Sequence, residues 1–147
     1  MVAFLITAPI PSYLTLNEVM NNVPAQPDLA VLSWLKDKAP ESSVVIAAVQ
    51  DGDYITNFAK KKDVIDNKFL LKDDAQQRYD DVKHLFETSA EPDALAILQK
   101  YGANYVFISQ NVLKDYDFKG LDFYKDDACF KPIISGRSIL YMVTCLK

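Results

Sequence analysis

Two aspartates separated by a single glycine, Asp51-Gly52-Asp53, follow the apolar run 43–49 (SVVIAAV) at the point where a buried strand would end. Carboxylates this close in sequence can share a hard divalent cation, Mg²⁺ or Mn²⁺, bridged to a sugar nucleotide or a lipid diphosphate. Ligands of open α/β sheets also gather beyond the carboxyl ends of strands. The same residues make an ordinary turn and an N-cap for a helix starting at Tyr54, and this plainer reading is the favoured one. Asp66 and Asn67 follow a short apolar pair, Val64-Ile65, and either line the same edge or form an Asx turn. These four residues are the ligand or metal candidates. No residue qualifies as catalytic by its setting, and no motif requires a cofactor.

The remaining reactive side chains narrow the chemistry further. His84 is the only histidine and sits among Val82 and Leu85 of a helical pattern, with no serine or cysteine nucleophile in register, so a hydrolytic triad lacks support. Four glycines, none in a G-x-G-x-x-G or G-x-x-x-x-G-K pattern, exclude the common phosphate-cradling loops. Arg78 and Arg137 are the only arginines available for an anion clamp, and both are expected at the surface. Tyr116, Phe118, Phe123 and Tyr124 offer either a sugar-stacking ledge or, as the better expectation, packing beneath a long loop.

The elements that must position these residues are legible from periodicity. The segment EPDALAILQKYGANYVFIS (91–109) reads as helix, glycine stop and strand. Ala94, Leu95, Ile97, Leu98 and Tyr101 share one helical face. Pro92 suits the first turn, with Ser89 or Glu91 to cap it, and Gly102 supplies a left-handed C′ residue. Tyr105-Val106-Phe107-Ile108 is apolar and β-branched or aromatic throughout, as a strand covered on both faces requires. The run 44–49 is a second strand of that kind. Asp28 is the expected N-cap of a helix over 28–39 carrying Leu29, Leu32 and Leu35, stopped by Pro40. Asp73 and Asp74 are expected to cap a helix over 74–87 with Ala75, Tyr79, Val82, Leu85 and Phe86 inward. The spacing thus predicts a two- or three-layer α/β domain over 28–147. Its mixed sheet centres on strands near 44–49 and 105–109, helices lie near 28–39, 74–87 and 92–101, and a C-terminal hairpin over 130–144 extends one edge. Residues 111–127 lack a clear period and are expected to be a loop or short helix.

Cys129 and Cys145, the only cysteines, occupy mirror positions about a turn centred on Gly136 and Arg137. A three-residue loop or a bulge would make them direct cross-strand partners, and a two-residue loop would leave them diagonal. A disulfide is favoured over two buried thiols, because two cysteines placed at random rarely fall on a mirror pair. Its presence would indicate an oxidising compartment.

Composition sets outer bounds. The chain has 147 residues, half of them apolar and 24% charged, with a net charge of −4. One domain with a substantial core is expected, and a general nucleic-acid surface is not. Lys60-Lys61-Lys62 is followed at once by Asp63 and reads as a solvated loop. The opening MVAFLITAPI is apolar but, cut by Pro9 and Pro11, falls short of the ~20 residues of a bilayer span. It lacks the positive n-region of a signal peptide. Residues 1–27 are therefore expected to be a connector. The apolar opening is either part of the domain or the last turns of a membrane helix.

Several stretches taken in order, SWLKDKAPESSVVIAAV, DGDYIT, DVIDNKFL and, after a helix, EPDALAILQKYGANYVFIS, resemble the soluble C-terminal region of archaeal multi-pass membrane glycosyltransferases. These lipid-linked-sugar transferases are similar to the oligosaccharyltransferase catalytic subunit, and the likeness spans roughly residues 28 to 145. Where that subunit carries a Trp-Trp-Asp-Tyr-Gly signature, this chain has Val49-Gln50-Asp51-Gly52-Asp53-Tyr54, without the tryptophans that help bind an acceptor peptide. The family's catalytic carboxylates lie in loops between membrane helices. The resemblance therefore implies an accessory, extracytoplasmic domain that does not catalyse alone. Its partners would be the membrane-embedded remainder of its own chain, and a lipid-linked sugar or acceptor. The competing expectation is a stand-alone cytosolic α/β domain that binds a small ligand or protein partner near Asp51.

Overall fold

The computed structural model describes residues 23–68, 73–118, 122–125 and 128–146. Most of the expected connector, the triplet Phe69-Leu70-Leu71 and Leu121 lie outside them.

In chain order the elements are helix α1 (Gln26–Lys38), strand β1 (Val44–Ile46), helix α2 (Gly52–Asn57), strand β2 (Lys62–Asp63), helices α3 (Ala75–Glu87) and α4 (Glu91–Tyr101), strand β3 (Tyr105–Ile108), helix α5 (Gln110–Asp115) and strands β4 (Phe130–Ile134) and β5 (Ile139–Val143). Single 3₁₀ turns cover Val49–Asp51 and Asp122–Lys125. The five strands form one mixed sheet in the order β2-β1-β3-β5-β4. β1 is parallel to both β2 and β3, while β5 is antiparallel to β3 and to β4. The two central strands thus lie side by side, and the hairpin extends the sheet beyond β3.

Alternation along β1 and β3 divides the core in two, because successive side chains of a strand point to opposite faces. Ile46, Val106 and Ile108 pack with Val82, Leu85 and Phe86 of α3 and with Ala94, Ile97 and Leu98 of α4. Val45, Tyr105 and Phe107 pack with Val31, Leu32 and Leu35 of α1 and with Ile55 of α2. The domain is a three-layer α/β sandwich. All four residues of β3 are buried, as its unbroken apolar run required. Gly102 ends α4 at φ 62°, where a glycine carries no side-chain clash.

Several boundaries differ from the sequence expectation. Helix α1 starts two residues before Asp28, with Pro27 in its first turn and Ala25 O accepting from Asp28 N and Leu29 N. Asp28 is no cap; it lies inside the helix, buried, with its carboxylate engaged elsewhere. Helix α4 is capped at Ala90 without a side chain, although Thr88 Oγ1 accepts from Ala90 N. Asp74 stands before α3 but binds Arg78 Nε at 2.8 Å instead of a helix N–H, and Tyr79 turns outward. β1 stops at Ile46 although Ala47 and Ala48 are fully buried. Apolarity there reports cover, not ladder pairing. β2 falls on Lys62-Asp63, ahead of the Val64-Ile65 expected, so the lysine run is not a free loop and Lys61 is buried. The stretch after Ser109, expected to lack period, opens with α5, whose first turn is capped by Ser109 Oγ accepting from Val112 N at 3.1 Å.

Candidate functional site at the carboxyl edge of the sheet

β1 and β3 are parallel, so their carboxyl ends deliver Asp51 and Ser109 to the same edge. Asp51 is 4% exposed and stands at the start of α2, yet its carboxylate does not cap that helix. It accepts a short hydrogen bond from Ser109 Oγ and another from Asn111 Nδ2 at 2.7 Å. Burial pushes its pKa up to about 6 against the pull of those two bonds, and the charges of Asp28 and Asp115 push the same way. Ser109 therefore works in both directions, donating to Asp51 and accepting from the first turn of α5.

A second buried aspartate ties three elements together. Asp28 Oδ1 accepts from Ser138 Oγ of the hairpin turn at 2.6 Å and from Gln110 N of α5 at 3.2 Å. Gln110 Nε2 in turn reaches Arg137 O at 2.6 Å. The third carboxyl, that of Asp63, differs. Both its oxygens are enclosed, and among the described residues neither has a well-aligned hydrogen-bond partner. Burial drives its pKa well above the usual carboxylate range; the backbone N–H groups of Val64 and Ile65 pull it back, and the Asp51 and Asp66 charges reinforce the rise. Val64 N is already committed to Val45 O.

Gly52 makes this close approach feasible. A Cβ at that position would collide with Asp63 Oδ2 and Ile65 O and stand 2.6 Å from Asp66 Cα. The chain turns there with a hydrogen on the inner side because no methyl group fits.

The structure brings Asp53 and Asn67 together, with Asn67 Nδ2 donating to Asp53 Oδ2 at 3.1 Å. Asp66 Oδ1 accepts from Lys68 N at 2.9 Å, an Asx turn. Asp51 and Asp53 engage different partners, one inside and one at the rim. Among the described residues no group of three or more His, Cys, Asp or Glu side chains is arranged to hold a metal ion. The rim of the edge is open. A depression of about 550 Å³ is lined by Asp53, Tyr54 and Asn67 among others, and one of about 310 Å³ adjoins it near Asp28 and Asn111.

The other sequence candidates lie elsewhere. His84 is exposed, 3.6 Å from Asp93. Arg78 holds Asp74 and donates to Val64 O at 3.0 Å, while Arg137 lies in the exposed turn. Tyr116, Phe123 and Tyr124 are buried and Phe118 packs against the same cluster, so these rings form core and no ledge. Cys129 and Cys145 are bonded, with Cα atoms 4.9 Å apart. β4 bulges between Pro132 and Ile134, and below the bulge Phe130 faces Val143, which leaves the cysteines one step off direct opposition.

Sequence reasoning missed Asp28, Asp63, Ser109 and Asn111 as members of this edge. A serine placed between a buried strand and an Asn-containing segment was a usable cap signal for Ser109. Nothing local distinguishes Asp28 or Asp63 from a surface aspartate.

No protein-family model and no curated protein sequence matches the chain. Among solved structures, it resembles the C-terminal globular domain of an oligosaccharyltransferase from Archaeoglobus fulgidus, with a TM-score of 0.58 and 16% identity, over 82% of this chain and 98% of that one. At that identity the likeness is one of fold, a mixed α/β sheet clad by helices. No helix among the described residues is long and apolar enough to cross a membrane.

Proposed function

We infer that this chain is an accessory, extracytoplasmic domain of a membrane-embedded glycosyltransferase-like protein, and that its carboxyl sheet edge supports binding of an acceptor or a neighbouring subunit. The observation that carries this reading is the match of nearly the whole oligosaccharyltransferase C-terminal domain to this chain. The Cys129–Cys145 bond agrees with an oxidising compartment. Within the edge, the buried Asp51–Ser109–Asn111 and Asp28–Ser138 contacts fix the loops, while Asp53, Tyr54 and Asn67 face the open side. The arrangement suits binding, and its one hydroxyl–carboxylate contact, Ser109 to Asp51, is buried away from the open side.

Two measurements test the reading. Thiol titration of the unreduced, unfolded chain is expected to find no reactive thiols; two would remove the oxidising compartment. The isolated domain is expected to transfer no sugar from a lipid-linked donor to a peptide or glycan acceptor, and turnover by the domain alone would refute the accessory role. The competing reading, a stand-alone cytosolic binding domain, draws on the depressions alone and requires the free thiols.

A further inference from the structure

The two depressions at the carboxyl edge are neighbours. Gln50 and Tyr54 line both, so the pair forms one trough with Tyr54 at its middle. We propose that this trough binds a neutral oligosaccharide, the pyranose rings lying against Tyr54 and Phe58 and the hydroxyls taken by Gln50, Asp53, Asn57 and Asn67. The inference rests on the reading of this edge as a binding surface and names its ligand class.

The lining selects the ligand by charge first. Among the described residues the larger depression presents one carboxylate, Asp53, and no cationic side chain in its lining. An anionic ligand in the larger depression would meet the Asp53 carboxylate, with no guanidinium or ammonium in that lining to offset the repulsion. A cationic ligand fares little better. The Lys36 ammonium already stands 4.9 Å from the centre of the Phe58 ring, and the smaller depression, lined by Asp28 and Asp115, also holds Lys114, so a positive charge would meet a like charge at either end. A neutral ligand meets neither obstacle.

The chemistry of the remaining side chains then favours hydroxyls. Three amides and a carboxylate line the larger depression, giving planar groups that donate and accept side by side. Vicinal hydroxyls, each both donor and acceptor, match such a set. Asn67 is held by its Nδ2 bond to Asp53 Oδ2, which leaves Asp53 Oδ1 and Asn67 Oδ1 to accept. Tyr54 and Phe58 are four residues apart at the end of α2 and therefore share a face. Phe58 is 40% exposed, an unfavourable setting for a phenyl ring that stacking against the C–H face of a pyranose would relieve. The extension across Tyr54 into the second depression accommodates more than one sugar unit.

An amide-resolved NMR titration of the isotope-labelled chain tests this, with mannotriose, maltotriose and diacetylchitobiose as neutral probes, and trilysine and an Asn-Ala-Thr tripeptide as comparators. At least one neutral sugar is expected to shift amides of residues 50–58 and 67 saturably, with a dissociation constant on the order of 1 mM. Phe58→Ala and Tyr54→Ala are each expected to weaken that binding about tenfold. Tyr79→Ala, a ring on α3 outside the trough, is expected to leave it unchanged. The spectra themselves report whether each variant is folded, and Phe58→Ala removes a largely exposed ring should Tyr54→Ala perturb the core. Absence of saturable shifts with all three sugars overturns the proposal, as does equal weakening by Tyr79→Ala. Binding of the tripeptide or trilysine alone at these amides also overturns it, while leaving the edge a binding surface.

Discussion

The two ends of the parallel strands are built on opposite principles. At the amino end the chain is tied down by paired backbone and side-chain polar groups. Asn104 Oδ1 accepts from Val44 N at 3.1 Å, Asn104 N donates to Val44 O, and Asn104 O accepts from Val143 N. One residue thus joins β1, β3 and β5. Close by, Thr144 N donates to Cys129 O and the Cys129–Cys145 bond closes the hairpin. At the carboxyl end three aspartates have their carboxyls buried, and among the described residues that of Asp63 has no well-aligned hydrogen-bond partner. Buried ionisable groups cost stability, and perturbed carboxyls of this kind cluster at functional sites. The amino end holds the fold; the carboxyl end spends part of that stability.

The sharpest way to break the contrast is at its closed end. Replacing Cys129 and Cys145 by alanine is expected to lower unfolding free energy by about 3 kcal/mol, the loop-closure entropy of a bridge with this separation. Urea denaturation measures it, and the amides around Asp51 should not shift. At the open end the largest effect is expected from pH. The folded pKa of Asp51, about 6, lies above its ordinary 3.8, so the native state binds a proton that the unfolded chain releases. The associated stability is fully present below the unfolded value and is lost as pH rises through 6. Lowering pH from 7.5 to 4 should therefore raise stability by roughly 2 kcal/mol from Asp51, opposite to ordinary acid denaturation. Asp63 acts in the same direction. Asp51→Asn is expected to flatten most of this profile, and a profile that falls steadily from pH 7 to 5 would contradict the contrast.

A third test removes the contact that makes the open end feasible. Gly52→Ala places a methyl group against Ile65 O and Asp66 Cα, backbone atoms that cannot swing aside. The expected cost is about 2 kcal/mol, with displaced amides at 65–67.

What the residues disclosed in advance follows the same division. β3 and α4 were readable because Tyr105–Ile108 is apolar without a break and Gly102 marks a stop, signals that depend on local chemistry alone. The layering followed from them, since a strand buried on both faces needs helices on both sides. The carboxyl edge was only half readable. Asp51 and Asp53 attract notice as a pair, but which one turns inward depends on Ser109 and Asn111, about sixty residues away. Asp28 looked like a helix cap because it precedes an apolar stripe; its partner Ser138 is 110 positions distant, and only the fold introduces them. Lys62-Asp63 looked like loop because β2 is two residues long and carries charges, and its pairing is imposed by β1. Long-range hydrogen bonds to short polar side chains leave no periodic trace.

The finest comparison sets Asp63 against Asp28, two aspartates with buried carboxyls on the same edge. Asp28 accepts from a hydroxyl and a backbone N–H, so Asp28→Ala leaves Ser138 Oγ and Gln110 N without their acceptor and should cost about 1–2 kcal/mol at neutral pH. Asp63 has no well-aligned partner among the described residues, only the backbone N–H groups of Val64 and Ile65 nearby, so Asp63→Asn removes a carboxyl whose ionisation burial opposes. Its expected effect is a gain in stability that grows with rising pH and shrinks as pH falls and the wild-type carboxyl takes up its proton. Urea midpoints of the two variants at pH 7.5 and 5 separate the cases. Should Asp63→Asn destabilise as much as Asp28→Ala at both values, the Asp63 carboxylate has a favourable contact, and the open end is better paired than its geometry implies.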